Sequence, residues 1–501
     1  MLAAASRNFG TTALQLNQNP LSSPASSQET IEVNTNAPSH PFPHFWEQMF
    51  GSGRAVLSLR NAYRRDLREV KQATDFRYIR FHGIFDHDVG LYGEDATGTP
   101  VYNFSYVDHI YDGLLDNGVR PFVELSFMPR QLAARPTEQA FWYHPIVSPP
   151  KDWNKWANLI THFAQHLVER YGIDEVSQWY FEVWNEPNLD FWAGEPKQES
   201  YYHLYDVTAR ALKSVSPRLR VGGPATAQAA WIGSFIQHSV QNHVPLDFVS
   251  THVYGNDSAK NVLGIDEPVS RNQMVCRAAR KVYDQVKSSK RPNLPIIWSE
   301  YNASYKNEED VTDSLFMGPW IADTIRQCDG LTDMMSYWTF SDVFEEQGVI
   351  KKPFYGGFGL IAEDNLPKPS FNAFKLLHRL GDERIALNSD SALLTRRKDG
   401  TLVMAVWNLF LPEETGTPKS VNIIVDGLKH RTRVLVSRLD DTHGSLLRTY
   451  QQMGSPAYPT RQQIVELRRA AELPAPEVAY FQKGKLDIAI PPQGLVLLEF
   501  K

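Results

Sequence analysis

Residues 152–187 read DWNKWANLITHFAQHLVERYGIDEVSQWYFEVWNEP, and this stretch decides the fold. Its first half places Trp153, Trp156, Leu159, Ile160, Phe163, Leu167 and Val168 on one helical stripe. Asp152 stands where a side chain caps the first turn, and Gly172 where helices end. Its second half holds a short apolar run at 179–184 of strand length. That run ends in Asn185-Glu186, and Pro187 stops its ladder from continuing. A helix leading into a buried strand that ends in polar residues is one unit of an alternating α/β chain.

The unit recurs on both sides. Apolar runs at 54–59, 78–82, 121–127, 179–184, 220–223, 248–254, 296–301 and 335–340 alternate with helical stretches. Eight strands so spaced fit an α/β fold of the closed (β/α)8 TIM-barrel type better than an open sheet. A dinucleotide-binding sheet would carry a Gly-rich phosphate turn after its first strand. Gly51-Ser52-Gly53 precedes the run at 54–59 and lacks the third glycine, which removes that reading. After residue 380 the texture is β-rich: 402–407, 421–425, 434–436 and 486–490 read as strands. Lys398-Asp399-Gly400 reads as a hairpin turn, and 460–473 as a helical insert. Residues 1–40 are rich in Ser, Asn, Pro and Gln and read as a flexible tail ending in one strand, Ile31-Glu32-Val33. The expected organisation is a tail at 1–40, a catalytic barrel at 41–378 and a C-terminal β-rich accessory domain at 379–501.

Composition narrows the function. The chain has 501 residues, 42% apolar and 22% charged, with 51 basic against 57 acidic side chains and a net charge of −6. No basic footprint points to nucleic acid or acidic lipid. No apolar run approaches the roughly 18 residues of a membrane span. No signal-peptide core stands out near Arg7, which favours the cytoplasm. Two cysteines, Cys276 and Cys328, rule out a disulfide scaffold and a Cys-rich metal site. Aromatic residues make up 12% of the chain, enough to furnish sugar-stacking surfaces as well as core.

Chemistry concentrates at strand ends, which in a barrel share one mouth. Glu186 ends the fourth strand and Glu300, in Ile296-Ile297-Trp298-Ser299-Glu300-Tyr301-Asn302, ends the seventh. Strands four and seven lie on opposite sides of an eight-stranded barrel, so the two carboxyls would face each other. A separation of about 5 Å is what a retaining glycosidase needs, one group attacking the anomeric carbon and the other protonating the leaving oxygen. His82 closes strand two, His252 and Tyr254 close strand six, and Trp338 lies in strand eight with Glu345 shortly after it. There is no His-Glu-x-x-His and no tight histidine cluster, so neither a metal nor a cofactor is expected. Asn-x-Ser sequons at Asn103, Asn256 and Asn302 read as chance matches.

These residues resemble glycoside hydrolase family 39, most of all its bacterial β-xylosidases. The matching stretches include Phe76-Arg77-Tyr78-Ile79-Arg80-Phe81-His82-Gly83, Asp88-Val89-Gly90, Tyr102-Asn103-Phe104 and Asn154-Lys155-Trp156. Others are residues 181–188, Val221-Gly222-Gly223-Pro224, Asp247-Phe248-Val249-Ser250, Glu300-Tyr301-Asn302-Ala303-Ser304-Tyr305, residues 336–346 (SYWTFSDVFEE), Gly356-Gly357-Phe358-Gly359-Leu360 and residues 395–400 (TRRKDG). The set runs from residue 76 to 400; the first forty residues have no counterpart in it, and Asp86-His87 departs from the family's acidic pattern. The resemblance implies Glu186 as acid/base, Glu300 as nucleophile and Asn185 as holder of the sugar 2-hydroxyl. It implies His82, His252, Tyr254, Trp338 and Glu345 as the lining of the terminal-sugar pocket. The expected activity is release of terminal β-D-xylose from xylo-oligosaccharides or xylosides by double displacement. Glu345 beside the sugar would repel a uronate, which sets the iduronidase branch and other family activities second. A non-catalytic carbohydrate-binding protein is the alternative from another class, though it would be free to lose either carboxylate and both are present. The expected partner is a glycoside or oligosaccharide; the accessory domain is left open as a glycan-binding or homo-oligomer surface.

Overall fold

The computed structural model describes residues 27–427, 432–481 and 484–501. The apolar runs close on themselves in a barrel of eight strands, each parallel to its neighbours. They are β1 Met49–Gly51, β2 Tyr78–Phe81, β3 Arg120–Leu125, β4 Tyr180–Val183, β5 Arg220–Thr226, β6 Phe248–Tyr254, β7 Ile296–Asn302 and β8 Met334–Tyr337. The main helix after each strand is, in order, α1 Asn61–Thr74, α2 Ser105–Leu115, α3 Trp153–Tyr171, α4 Lys197–Val215, α5 Ile232–Gln241, α6 Arg271–Lys287, α7 Met317–Cys328 and α8 Pro369–Leu377. This is the (β/α)8 TIM barrel.

Seven expected strands fall on observed ones. The first is a correction: 54–59 is not a strand, since Ala55–Leu59 is a short 3-10 helix and the barrel opens earlier, at Met49. A three-residue strand and one helical turn bury equally short apolar runs, so periodicity does not separate them. Helix α3 forms as its sequence dictates. The Asp152 carboxylate accepts from the Asn154 and Lys155 amides, Gly172 takes φ 80°, and Trp156, Leu159, Ile160, Phe163 and Leu167 are buried. Trp156 Nε1 donates to Thr208 Oγ1 at 2.8 Å, which pins α3 against α4.

The barrel interior is layered along its axis. Met49, Phe122, Phe248, Ile297 and Met334 plug the end where the strands begin, backed by Tyr78 and Tyr180. Two residues further along β2, β3 and β4 the inward positions become Arg80, Glu124 and Glu182, all fully buried. In β7 a register shift follows Trp298. It lets Ser299 and Glu300 both meet interior partners, where strict alternation would turn one outward.

A seven-stranded sheet runs Ser39–Pro41, Glu383–Ile385, Ala392–Arg396, Leu402–Trp407, Leu495–Phe500, Arg433–Leu439, Glu477–Tyr480. A three-stranded sheet joins Ser27–Asn34, Lys419–Asp426 and Lys485–Ile490. The two share an apolar cluster that includes Ile31, Met404, Ile423, Ile488 and Leu498. Gly400, at φ 85°, makes the hairpin turn into Leu402–Trp407, and Thr460 caps Arg461–Ala470 through a capping box. The flexible tail expected to residue 40 is corrected at its end. Ser27–Asn34 pairs in parallel with Lys419–Asp426, and Ser39–Pro41 pairs with Glu383–Ile385, so both ends of the chain build these sheets. The rest of that expected tail, 1–26, lies outside the described residues. Cys276 and Cys328 form one disulfide between α6 and α7, with Cα atoms 5.0 Å apart. No helix among the described residues is long and apolar enough to cross a membrane.

Candidate active site

At the end where the strands finish, the interior turns from apolar to ionic. Arg80 is the organising group. Its Nε donates to Glu182 Oε2 at 2.5 Å, Nη1 to Glu300 Oε1 at 2.7 Å and Nη2 to Asn185 Oδ1 at 3.0 Å, with Glu124 Oε2 2.7 Å from Nη2. One guanidinium thus orients residues from β3, β4, β7 and the loop after β4. A planar fork of donors suits that task as an ammonium would not. Tyr254 closes the other side of Glu300, donating to Oε2 at 2.6 Å. Both oxygens of Glu300 therefore accept hydrogen bonds, the arrangement that solvates a charged carboxylate.

Glu186 is held differently. It follows β4 in a turn where Trp184 and Glu186 both take positive φ, 72° and 43°, a left-handed conformation that only surrounding contacts sustain. The Glu186 amide donates to Ala225 O at 2.8 Å, and Trp184 Nε1 donates to Phe191 O at 2.7 Å. The Glu186 Oε1 atom lies 3.0 Å from His252 Nδ1, whose Nε2 lies 3.1 Å from Ser299 Oγ. One atom each of Glu186, His252 and Glu300 fall within 4.8 Å of one another. Burial and then the Glu300 charge push the Glu186 carboxyl well above the ordinary carboxylate range. Burial, with the positive charges of Arg80 and His82, holds His252 well below the usual histidine range, so its imidazole is neutral. The Glu186 carboxyl thus faces the doubly hydrogen-bonded Glu300 across a gap of retaining-glycosidase dimensions.

A cavity of about 430 Å³ opens over the pair, lined by His82, Asn185, Glu186, Tyr254, Glu300 and Trp338 among others. Gly51 makes room for the Trp338 ring, because a Cβ at that position would overlap it. His82 is fixed by Glu124, its Nδ1 2.7 Å from Oε2; burial by itself would lower its pKa, but the charge and hydrogen bond of Glu124 and the charge of Glu300 together raise it. Six expected residues therefore meet here: Glu186, Glu300, His82, Asn185, Tyr254 and Trp338. His252 stands behind Glu186 and does not line the cavity.

Glu345 is the exception. Its carboxylate is held by Arg54 Nη1 at 3.0 Å and Arg60 Nη1 at 2.6 Å, and it is not among the residues that line the cavity. The neighbouring Glu346 enters instead, 3.6 Å from His82 Nε2, with its pKa raised to about 8 by burial. Arg80, Glu124, Glu182 and Glu346 were all missed by sequence reasoning, together with the cavity residues Gln139, Phe141, Gln228, Asp257, Tyr305 and Gln347. For the first three a signal existed: Tyr78, Arg80 and His82 occupy every second position, as do Phe122 and Glu124, and Tyr180 and Glu182. A charged residue between two inward positions of a barrel strand is itself inward. The sequon at Asn302 is fully buried and donates to Trp338 O.

Glu186, His252 and Glu300 are close enough to share a cation, but Arg80 and Tyr254 already donate to both Glu300 oxygens, so a metal would compete with a buried guanidinium. The Glu186 and Glu300 pair can supply a proton from one side and a nucleophile from the other. A TIM barrel that presents such a pair at the ends of β4 and β7 is a glycoside hydrolase.

Comparison with known proteins agrees. The family model described as "Glycosyl hydrolases family 39" matches residues 29–487, and the chain belongs to that family. A β-xylosidase of Geobacillus stearothermophilus is 39% identical over 452 residues, covering 87% of this chain and 88% of the relative. One from Caldicellulosiruptor saccharolyticus is 35% identical over 472 residues, covering 91% and 95%. The crystal structure of a monomeric β-xylosidase from Caulobacter crescentus CB15 superposes with a TM-score of 0.86 at 32% identity, covering 94% of this chain and 99% of that one.

Proposed function

We propose that the protein is a retaining, exo-acting β-xylosidase that releases terminal β-D-xylose from xylo-oligosaccharides or xylosides, with Glu300 as nucleophile and Glu186 as acid/base. The observation that carries this reading is the approach of the Glu186 and Glu300 carboxyl oxygens to within 4.8 Å. In the first step Glu300 attacks the anomeric carbon as the bond to the leaving oxygen breaks, and Glu186 gives that oxygen its proton. Esterified Glu300 no longer carries the charge that raises Glu186, whose pKa then falls, so it takes a proton from water attacking the same carbon. Asn185, its Oδ1 tied to Arg80, presents its amide N–H groups to the sugar 2-hydroxyl. Trp338, Tyr254 and His82 wall the ring.

The preference for a neutral sugar rests on the absence of a lining cation rather than on Glu345. Glu186, Glu300, Glu346 and Asp257 line the cavity, and no Arg or Lys does among the described residues. A uronate carboxylate would find no guanidinium or ammonium group there to pair with. The β-xylosidases at 39% and 35% identity support the same sugar, whereas the α-L-iduronidase orthologue of known structure, at 20% identity, shares the fold. Assay of an aryl β-xyloside beside an aryl α-L-iduronide tests the choice: higher kcat/KM on the xyloside supports it, and preference for the uronide overturns it.

We take one chain as the active unit, as the Caulobacter relative is described as monomeric. The Cys276–Cys328 bridge favours an oxidising compartment over the cytoplasm suggested by the N-terminal sequence.

A further inference from the structure

At the opposite end of the barrel, where the strands begin, a second polar cluster stands in a cavity of about 550 Å³. His44 and Glu47 belong to the segment that enters β1, and His378 caps the C-terminus of α8. His44 Nδ1 lies 2.5 Å and His378 Nδ1 2.9 Å from the same oxygen, Glu47 Oε1. Glu47 is buried to about 4% side-chain exposure, and its other oxygen, Oε2, has no hydrogen-bond partner. The His44 ring is stacked on Trp46 at 4.4 Å, which fixes the direction of its Nδ1. Two imidazole nitrogens and an under-used buried carboxylate, converging from two chain segments, form a donor set that exceeds what a hydrogen-bonded triad requires.

The geometry points to a zinc site formed by His44, Glu47 and His378, with water from the cavity as the fourth ligand. Two histidines and a carboxylate around an open position suit Zn²⁺. Bonds of about 2.0–2.1 Å in a tetrahedron put ligand atoms about 3.3 Å apart, so the 2.5 and 2.9 Å separations need to widen by less than 1 Å. Asp75, Asp333 and Asp382 also line the cavity with Arg77, although Lys71 pairs with Asp75 at 2.8 Å and Lys398 with Asp382 at 3.3 Å. The cluster sits where the chain passes between the barrel and the seven-stranded sheet. Ser39–Pro41 lies just before His44 and pairs with Glu383–Ile385, just after His378, and Phe42 N donates to Asp382 O at 2.7 Å. Zinc bound here would clip the entering and leaving chains together, and it would do so at the end of the barrel away from Glu186 and Glu300.

The test is zinc binding by the full chain. Protein stripped with EDTA is dialysed against micromolar ZnCl2, and bound metal is measured by mass spectrometry for the wild type, His378→Ala, His44→Gln and Glu186→Gln. One zinc per chain is expected in the wild type and Glu186→Gln, with affinity lowered at least about tenfold in the two histidine variants. Zinc should raise the wild-type melting temperature by about 2–4 °C at 100 times Kd and leave that of His378→Ala unmoved. His378 is 39% exposed at a helix end, so its removal leaves the fold intact, and equal melting of wild type and variant in EDTA checks this. Absence of zinc from the wild type, or equal binding by His378→Ala, would overturn the assignment. Loss of zinc in Glu186→Gln alone would do the same, by placing the metal at the carboxylate pair.

Discussion

Replacing Arg80 by Met removes the charge around which the site is built while keeping most of the side-chain volume. Arg80 is fully buried and meets Glu182 at 2.5 Å, Glu124 at 2.7 Å and Glu300 at 2.7 Å. Removing one partner of a buried ion pair costs about 3–5 kcal/mol, because the other charge is left without compensation. Glu124 keeps His82 at 2.7 Å, so Glu182 suffers most; its other oxygen already lacks a partner. We expect a loss of about 4 kcal/mol at pH 8. The loss should shrink with acidity. Carboxyls left in the cavity have folded pKa values raised above their unfolded value of about 4.3, so the folded state binds protons that the unfolded chain does not, and stability returns as pH falls. Urea unfolding of wild type and variant at pH 8 and pH 5 measures this, and the difference should narrow by at least about 1 kcal/mol. With one donor to Glu300 gone, kcat/KM on an aryl xyloside should fall by about 10²–10³. An equal loss at both pH values would mean that Arg80 acts through packing alone and would refute the electrostatic account.

Other outcomes follow from particular contacts. Glu186→Ala should keep measurable turnover on aryl xylosides with good leaving groups and lose it on alkyl xylosides; kinetics with two leaving groups check this, and equal losses would deny its role as acid. Because Glu186 must be protonated and its pKa is raised, wild-type kcat/KM should fall as pH rises through that value, a limb that a pH profile of Glu186→Ala should lack. Glu346, raised to about 8, is protonated at pH 7 and should donate to a sugar hydroxyl, so KM should climb above pH 8 in the wild type and stay flat in Glu346→Gln. Gly51→Ala pushes against the Trp338 ring, which should raise KM and destabilise by about 1–3 kcal/mol, measured by steady-state kinetics and thermal unfolding. The Cys276–Cys328 bridge spans 52 residues, for which chain entropy allows about 4 kcal/mol; unfolding with and without reductant measures it.

How much of this was legible before the coordinates depends on what each element needed. The barrel was legible because its strands are buried on both faces and read as apolar runs, and Glu186 and Glu300 were legible because each ends such a run. The first strand was misplaced because three residues, Met49–Gly51, carry no period, while Ala55–Leu59 buries a similar pattern as a helical turn. Arg80, Glu124 and Glu182 were passed over because attention went to strand ends, although their alternation with His82 and Phe122 marked them as inward. Glu345 and Glu346 sit in an irregular loop where no periodicity says which one turns toward the cavity. Glu47 and His378 meet across 331 residues, and Cys276 and Cys328 across 52; neither proximity exists in a sequence until the barrel closes.

The central claim is that Glu300 attacks the sugar directly while Glu186 serves it with protons. Incubation with a 2-fluoro-xyloside bearing a good leaving group, followed by peptide mapping, measures this in one step. The account predicts stoichiometric inactivation with the 2-fluoroxylosyl label on the peptide holding Glu300, and no label on Glu186. Label on any other residue, or turnover without any trapped intermediate, would contradict it.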